Sequence, residues 1–393
     1  MKKIIPLLLA ALLTGCAEKS IGSAPEIIED NPAHNETNEE AAGDKSTLSE
    51  LISLNNAQIA RQKSIEREID FSPIEISEPC RYGNLPQNIK CGIGAGFVCP
   101  DADSGAVYFT DLNGSYALSK YENGIVTELV PITASHINLW NGSLYYIGRS
   151  DGQTGVERPW GAVFGSIFRY DISTGENTVL LETNAVSLIV SEHGIDYTAG
   201  EVYSDDSTLC PDERQYHMDF DGTISENGEY PLTDRCLGLW YGENSLIAQD
   251  GALCFSDSDG GFNAALSRKS VNCLLTIYED WLCCRPSLSE IYCLNLRTGE
   301  SLTYTFSFLQ DYIWLGDTLY ATSGTHIAAC KNGETKDYPI SQPPSGTMSF
   351  DKLLTDGESI IGVSSVACRL YRLSPNEYGT AYIYEPYPGG GKS

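Results

Sequence analysis

The feature that most constrains this chain is a repeat. From Ile137 to Glu182 it reads INLW, a turn at Asn141-Gly142, SLYYIG, a long polar loop, SIFRYD, a turn at Ser173-Thr174-Gly175, then NTVLLE. Four short runs rich in β-branched and aromatic residues, divided by turn residues, make one four-stranded antiparallel unit. Comparable second strands begin at Ala106, Ser143, Gly194, Asn244, Asp280, Asp317 and Glu358, at intervals of 37, 51, 50, 36, 37 and 41 residues. Each follows a candidate first strand, at 97–99, 137–140, 187–190, 237–241, 274–278, 312–315 and 352–354. A period near 40 with four strands per repeat is the signature of blades packed face to face around a channel. The expected fold is therefore all-β, a β-propeller of seven four-stranded blades over residues 92–388. Six or eight blades are the alternatives. A sandwich would have to fit roughly 290 residues of near-constant spacing into two sheets.

What precedes the repeats is different in kind. Lys2-Lys3, an apolar run from Ile4 to Leu13 and then Leu13-Thr14-Gly15-Cys16 form a basic start and a core too short to span a bilayer, the pattern of a secretory signal. The last four residues resemble the lipobox of bacterial lipoproteins. That resemblance implies cleavage after Gly15 and lipidation of Cys16, whose acyl chains would hold the protein on a membrane at about 0.8 kcal/mol per buried CH₂. Residues 17–45 hold eight acidic and two basic residues, two prolines and no aromatic residue. This is a disordered tether with a reach on the order of 30 Å. Residues 46–91 read as a short N-terminal helix to about Asp70, opened by the capping-box spacing of Thr47 and Glu50, and then an extended connector punctuated by Pro73 and Pro79. Ile74 to Ser77 are a candidate edge strand. Residues 389–393 are a disordered tail.

Charge narrows the partners. Of 393 residues, 25 are Lys or Arg and 53 are Asp or Glu, a formal charge of −28. Nucleic acid would be repelled rather than held by counterion release. The membrane is accordingly reached through lipid, not through a polybasic patch.

Tyr108-Phe109-Thr110-Asp111 lies on a second strand, where low-density-lipoprotein-receptor-type propellers carry a Tyr-Trp-Thr-Asp signature. SLYYIG followed by SIFRYD is likewise similar to the related propeller domain found, without known function, in many bacterial lipoproteins. The resemblance covers roughly residues 92–386 and implies the fold alone. The other repeats keep the Tyr-rich pattern and lose the Thr-Asp. The hairpins at Asp171–Glu176 and Asn295–Glu300 look like those of quinoprotein-type propellers but lack the Trp that follows the turn there. They are read as turns, with no quinone or other cofactor.

Chemistry offers few handles. Twelve cysteines besides Cys16 permit disulfides, with Cys80 to Cys91 or Cys99, and Cys210 to Cys236, as the candidate pairs. Cys254, Cys283, Cys293, Cys330 and Cys368 instead occupy strand positions suited to small buried residues, and Cys283 and Cys284 must face opposite ways. No Cys/His set has zinc spacing, and the five histidines stand singly, so no catalytic residue and no metal ligand is assigned. Asp101–Gly105 and Asp257–Gly261 read as turns rather than calcium loops, for want of a bidentate Glu.

The two longest repeats carry their excess between second and third strands, in loops that a propeller opens on one face. Arg149, Arg158 and Trp160 lie in the first; Asp205, Asp206 and Arg214 in the second, with Tyr216 just beyond. Trp and Arg dominate binding hot spots, and long loops on a rigid scaffold commonly carry function. These seven residues are the candidate ligand-binding set; opposite charge pairing the two loops is the plainer account. The function expected is a non-catalytic module, lipid-anchored outside the cytosol in a bacterial cell envelope, that binds an envelope protein or glycan. The alternative is an extracytoplasmic carbohydrate-active hydrolase or lyase with carboxylates in the channel mouth.

Overall fold

A computed structural model describes residues 71–90, 96–148, 165–200, 214–229, 238–249, 252–256, 262–267, 273–341, 349–364, 367 and 369–388, all within the unit 57–393. The expected lipobox, tether, helix and C-terminal tail fall outside these residues.

Among the described residues, 27 strands run in chain order through six antiparallel sheets. The first sheet holds β1 (Val98–Pro100), β2 (Val107–Thr110), β3 (Leu118–Glu122) and β4 (Ile125–Val130). A seven-stranded sheet follows, of β5 (Ser135–Trp140), β6 (Ser143–Gly148), β7 (Gly165–Asp171), β8 (Asn177–Ser191), β9 (Gly194–Ala199), β10 (Arg214–Met218) and β11 (Ile224–Glu229). Next come β12 (Trp240–Tyr241), β13 (Asn244–Gln249), β14 (Ala252–Ser256) and β15 (Phe262–Ser267), then β16 (Cys273–Tyr278), β17 (Trp281–Ser287), β18 (Glu290–Asn295) and β19 (Ser301–Thr305). The last two sheets are β20 (Asp311–Leu315), β21 (Thr318–Thr322), β22 (His326–Lys331) and β23 (Glu334–Pro339), and β24 (Lys352–Thr355), β25 (Ile360–Ser364), β26 (Arg369–Pro375) and β27 (Tyr382–Pro386). The architecture is all-β and propeller-like, with, among the described residues, one three-residue 3₁₀ turn at Pro86–Asn88. Among the described residues no helix is long and apolar enough to cross a membrane.

Each second strand expected from the repeat is a strand here, and burial explains why these read most clearly. β6 and β25 are buried along their whole length, with a sheet against either face, so they can be apolar almost without interruption. Outer strands such as β23 (ETKDYP) are exposed edges and carry the charges that discourage edge pairing. Tight turns fall at Asn123-Gly124, Asn141-Gly142 and Asn332-Gly333, where both residues have positive φ, as hairpins of matching twist require.

One boundary differs. Residues 177–182 and 187–190, expected as separate strands, fuse into the 15-residue β8. It pairs with β7 in its first half and with β9 in its second, its register shifting at Ala185. The bridging Thr183-Asn184-Ala185-Val186 contains no Gly or Pro to break it. β8 therefore serves two successive four-stranded units. Ile74 to Ser77, a candidate edge strand, joins no ladder; Ile74 donates one backbone hydrogen bond to Leu296 O.

Each sheet packs on the next. Tyr108 and Leu118 meet Leu144 and Tyr146; Leu246 and Phe255 share a cluster with Ile277 and Leu282; Cys293 meets Leu319 and Cys330; Ile313 and Ile327 meet Leu353 and Leu373. The last sheet packs on the first through Ile361, Val363 and Tyr387 against Phe97 and Phe109, and Asn113 Nδ2 donates to Leu370 O and Tyr387 O at 2.7 and 2.8 Å. Among the described residues no ladder joins these two sheets.

A recurring bond ties neighbours together. Thr110, ending β2, donates to Ala134 O at 2.6 Å, just before β5; Thr322, ending β21, donates to Phe350 O at 3.0 Å, just before β24. Arg285 on β17 does the same toward Gln310 O at 2.6 Å. Cys283 and Cys284 face opposite ways as expected: Cys283 clusters with Cys293 and Cys330, and Cys284 with Leu246 and Phe255. Cys80 and Cys99, a candidate disulfide, are separate free thiols, and Cys99 Sγ lies 3.3 Å from Gly83 O. Cys91, Cys210, Cys236 and Cys368 lie outside the described residues.

Candidate functional site

The connector at residues 82–90 runs along the axis of the assembly. Tyr82 OH accepts from Trp240 N–H at 2.7 Å and donates to Trp240 O, reaching β12. Gly83 N donates to Val190 O on β8, and Gly83 O accepts from Leu139 N on β5. Asn84 Nδ2 donates to Val98 O on β1 and Ile137 O on β5, at 2.9 and 2.7 Å. Thr276 on β16 donates to Pro86 O. The Asn88 amide pairs with Thr355 on β24 as a strand would, donating to its O at 2.8 Å and accepting from its N–H at 2.9 Å. Lys90 Nζ donates to Asp311 on β20 and to Leu353 O on β24. Nine residues thus hydrogen-bond to the first strand of every four-stranded unit.

Lys90 and Asp311 are 4% and 5% exposed. Burial pulls the Lys90 ammonium below its usual value, and the carboxylate opposing it keeps the pair together. Both Asp311 oxygens accept from Lys90, and Oδ2 also accepts from Leu353 N–H. Nearby, burial lowers Lys352 to about 8, against the pull of Asp311, and lowers His136 to about 3. The axis is a structural polar plug made by the chain itself.

The long loops spring from the seven-stranded sheet. Gly165 on β7 pairs with Ala185 on β8, Ala185 with Ala199 on β9, and Ala199 with Arg214 on β10, so the four stand in one row. At about 4.8 Å per strand, Gly165 at the root of the first loop lies within about 14 Å of both roots of the second, Ala199 and Arg214. The row is at one end of the strands. At the other, about 16 Å away, Ser191 pairs with Gly194, and there the connector makes its bridge from Tyr82 to Ser191. The connector therefore meets β8 at the end opposite the loops.

Of the seven candidate binding residues, Arg149, Arg158, Trp160, Asp205 and Asp206 lie outside the described residues. Arg214 pairs with Glu226 at 2.9 Å, both side chains 43% exposed, a surface contact worth about 0–1 kcal/mol. Tyr216 stacks on its cross-strand partner Tyr197 at 5.1 Å. Burial raises the Tyr197 hydroxyl to about 12, and the stacked pair is aromatic support beneath the loop root.

The single-histidine reading missed one cluster. His217 on β10 sits opposite Asp196 on β9, with Nδ1 2.9 Å from Asp196 Oδ1 and Nε2 3.3 Å from Asp219 Oδ1. The hydrogen bond to Asp196 raises its pKa above the ordinary value. Only Asp219, two residues on, was visible locally; Asp196 comes from the neighbouring strand. The turn candidates behave as read: Asp101 and Asp171 spend their carboxylates on N–H groups of their own turns. Asp257–Gly261 lies outside the described residues.

No protein-family model matches the chain, and no curated protein matches it. Among solved structures, the extracellular domain of BT4673 from B. thetaiotaomicron is similar at 12% identity and a TM-score of 0.41, over 73% of this chain and 39% of that one. This chain thus spans well under half of that protein's length. BamB from Moraxella catarrhalis is similar at 13% identity and a TM-score of 0.39, over 77% of this chain and 93% of that one. Likeness at this level says nothing about activity or partner.

Proposed function

We propose that this chain is a bacterial lipoprotein, anchored through Cys16 on the extracytoplasmic side of a membrane, whose seven-bladed propeller is a non-catalytic binding module for an envelope protein or glycan. The observation that carries the reading is the row Gly165, Ala185, Ala199, Arg214 at the strand ends opposite the connector. It gathers the roots of both long loops on one face, away from the end where the connector meets β8. A chain tethered through its N-terminus would then turn the face that bears these loop roots outward. The blade count is supported by the seven first strands around residues 82–90, and kinship with the low-density-lipoprotein-receptor type by Thr110, whose hydroxyl bonds to the next unit. A rigid ring with a filled axis suits presentation of loops more than passage through a channel.

The test is crosslinking on intact cells with identification of captured partners, using a Cys16→Ala form as the unanchored control. Capture should fall at least tenfold for the Arg158→Ala, Trp160→Ala double variant. Undiminished capture would rule out this face.

A further inference from the structure

We infer that Cys80, Glu192 and His193 form a binding site for a borderline divalent cation of the zinc class. Cys80 belongs to the connector, and Glu192 and His193 are the two residues of the turn joining β8 to β9. Cys80 Sγ, a Glu192 carboxylate oxygen and a His193 ring nitrogen all lie within 4.8 Å of one another.

Each group has a property that an ion at this point would complement. The His193 ring is held by the Trp240 indole stacked on it at 3.9 Å, and its Nε2 is buried with no hydrogen-bond partner. Cys80 is buried, and its Sγ lies 3.7 Å from Arg81 O. Glu192 is held ready as an anion: Oε1 accepts from Arg81 N–H at 2.9 Å and Oε2 from Arg81 Nε at 3.0 Å, leaving each oxygen a lone pair. One sulfur, one nitrogen and one oxygen suit Zn²⁺, whereas Ca²⁺ and Mg²⁺ want oxygen throughout. Bound ligand atoms around zinc stand about 3.3–3.7 Å apart, so closure takes a shift of roughly 1 Å. The fourth position is left to water.

Binding is redox-neutral: the Cys80 S–H bond breaks, an S–Zn bond forms, and one proton passes to buffer. The ion would clamp the connector to the β8–β9 turn. Cys80 and the Glu192-His193 pair are so far apart in sequence that no metal-binding spacing could announce them.

The full-length chain, reduced, is titrated with Zn²⁺ by calorimetry in two buffers of different ionisation enthalpy, and with Co²⁺ by absorption. Expected are one ion and about one proton per chain and a thiolate-to-cobalt charge-transfer band. Cys80→Ser abolishes the band, and His193→Asn weakens Zn²⁺ binding by more than the ~10–100-fold typical of losing an outer-shell partner. A cobalt complex without the band, or one that keeps it in Cys80→Ser, would overturn the site. Should Cys80→Ser not fold, His193→Asn and Glu192→Gln decide: unchanged affinity in both sinks the proposal.

Discussion

Lys90 Nζ lies 2.8 Å from each carboxylate oxygen of Asp311, 221 residues further along the chain, with both side chains buried. This pair fastens the axial segment to β20. Lys90→Met strands a buried carboxylate and should cost about 3–5 kcal/mol. Asp311→Asn placed beside it removes that charge while keeping an acceptor for Leu353 N–H, and should recover more than half of the loss. Urea unfolding of the two variants checks this; a double variant no more stable than Lys90→Met would mean the stranded charge is not the cause.

Asn88 tests the plug without changing charge. Its amide satisfies both the N–H and the O of buried Thr355. Asn88→Ala orphans both groups at about 1–3 kcal/mol each, so roughly 2–6 kcal/mol should be lost. The denaturation midpoint should fall at constant slope, since the surface exposed on unfolding hardly changes.

His217 predicts a pH dependence. Bonded to Asp196, its folded pKa is raised above the unfolded value. Its contribution is therefore fully present below about pH 6.5, the unfolded pKa, and is lost as pH rises through the folded one. His217→Gln should cost on the order of 1 kcal/mol near pH 5.5, and clearly less near pH 9. Equal losses at the two pH values, from thermal unfolding, would mean the imidazole only fills space.

Thr110 and Thr322 hold equivalent inter-sheet bonds. Thr110→Val and Thr322→Val keep shape but orphan a buried carbonyl, and each should lower stability by about 1–2 kcal/mol. With no shared partner, the double variant should add within about 0.5 kcal/mol. A shortfall beyond that, measured by urea unfolding, would show coupling between the two junctions.

The sequence alone determined the repeating unit. SLYYIG and ESIIGV were legible because a strand packed on both faces is apolar almost throughout, and Asn141-Gly142 because a tight hairpin demands positive φ at both residues. Cys283 and Cys284 could be assigned opposite sides because side chains alternate along any strand. These are properties of neighbours in the chain, so the chain announces them. Only the tertiary structure decided that Tyr82 to Lys90, which read as part of an extended connector, would fill the axis, and that β8 would run through two units. The same is true of His217 meeting Asp196, and of Cys80 meeting His193. The physical reason is distance along the chain: Asn88 and Thr355 are 267 residues apart. A polar residue bonded to a remote backbone has no periodicity of its own, so before folding it looks like any residue of a solvated loop.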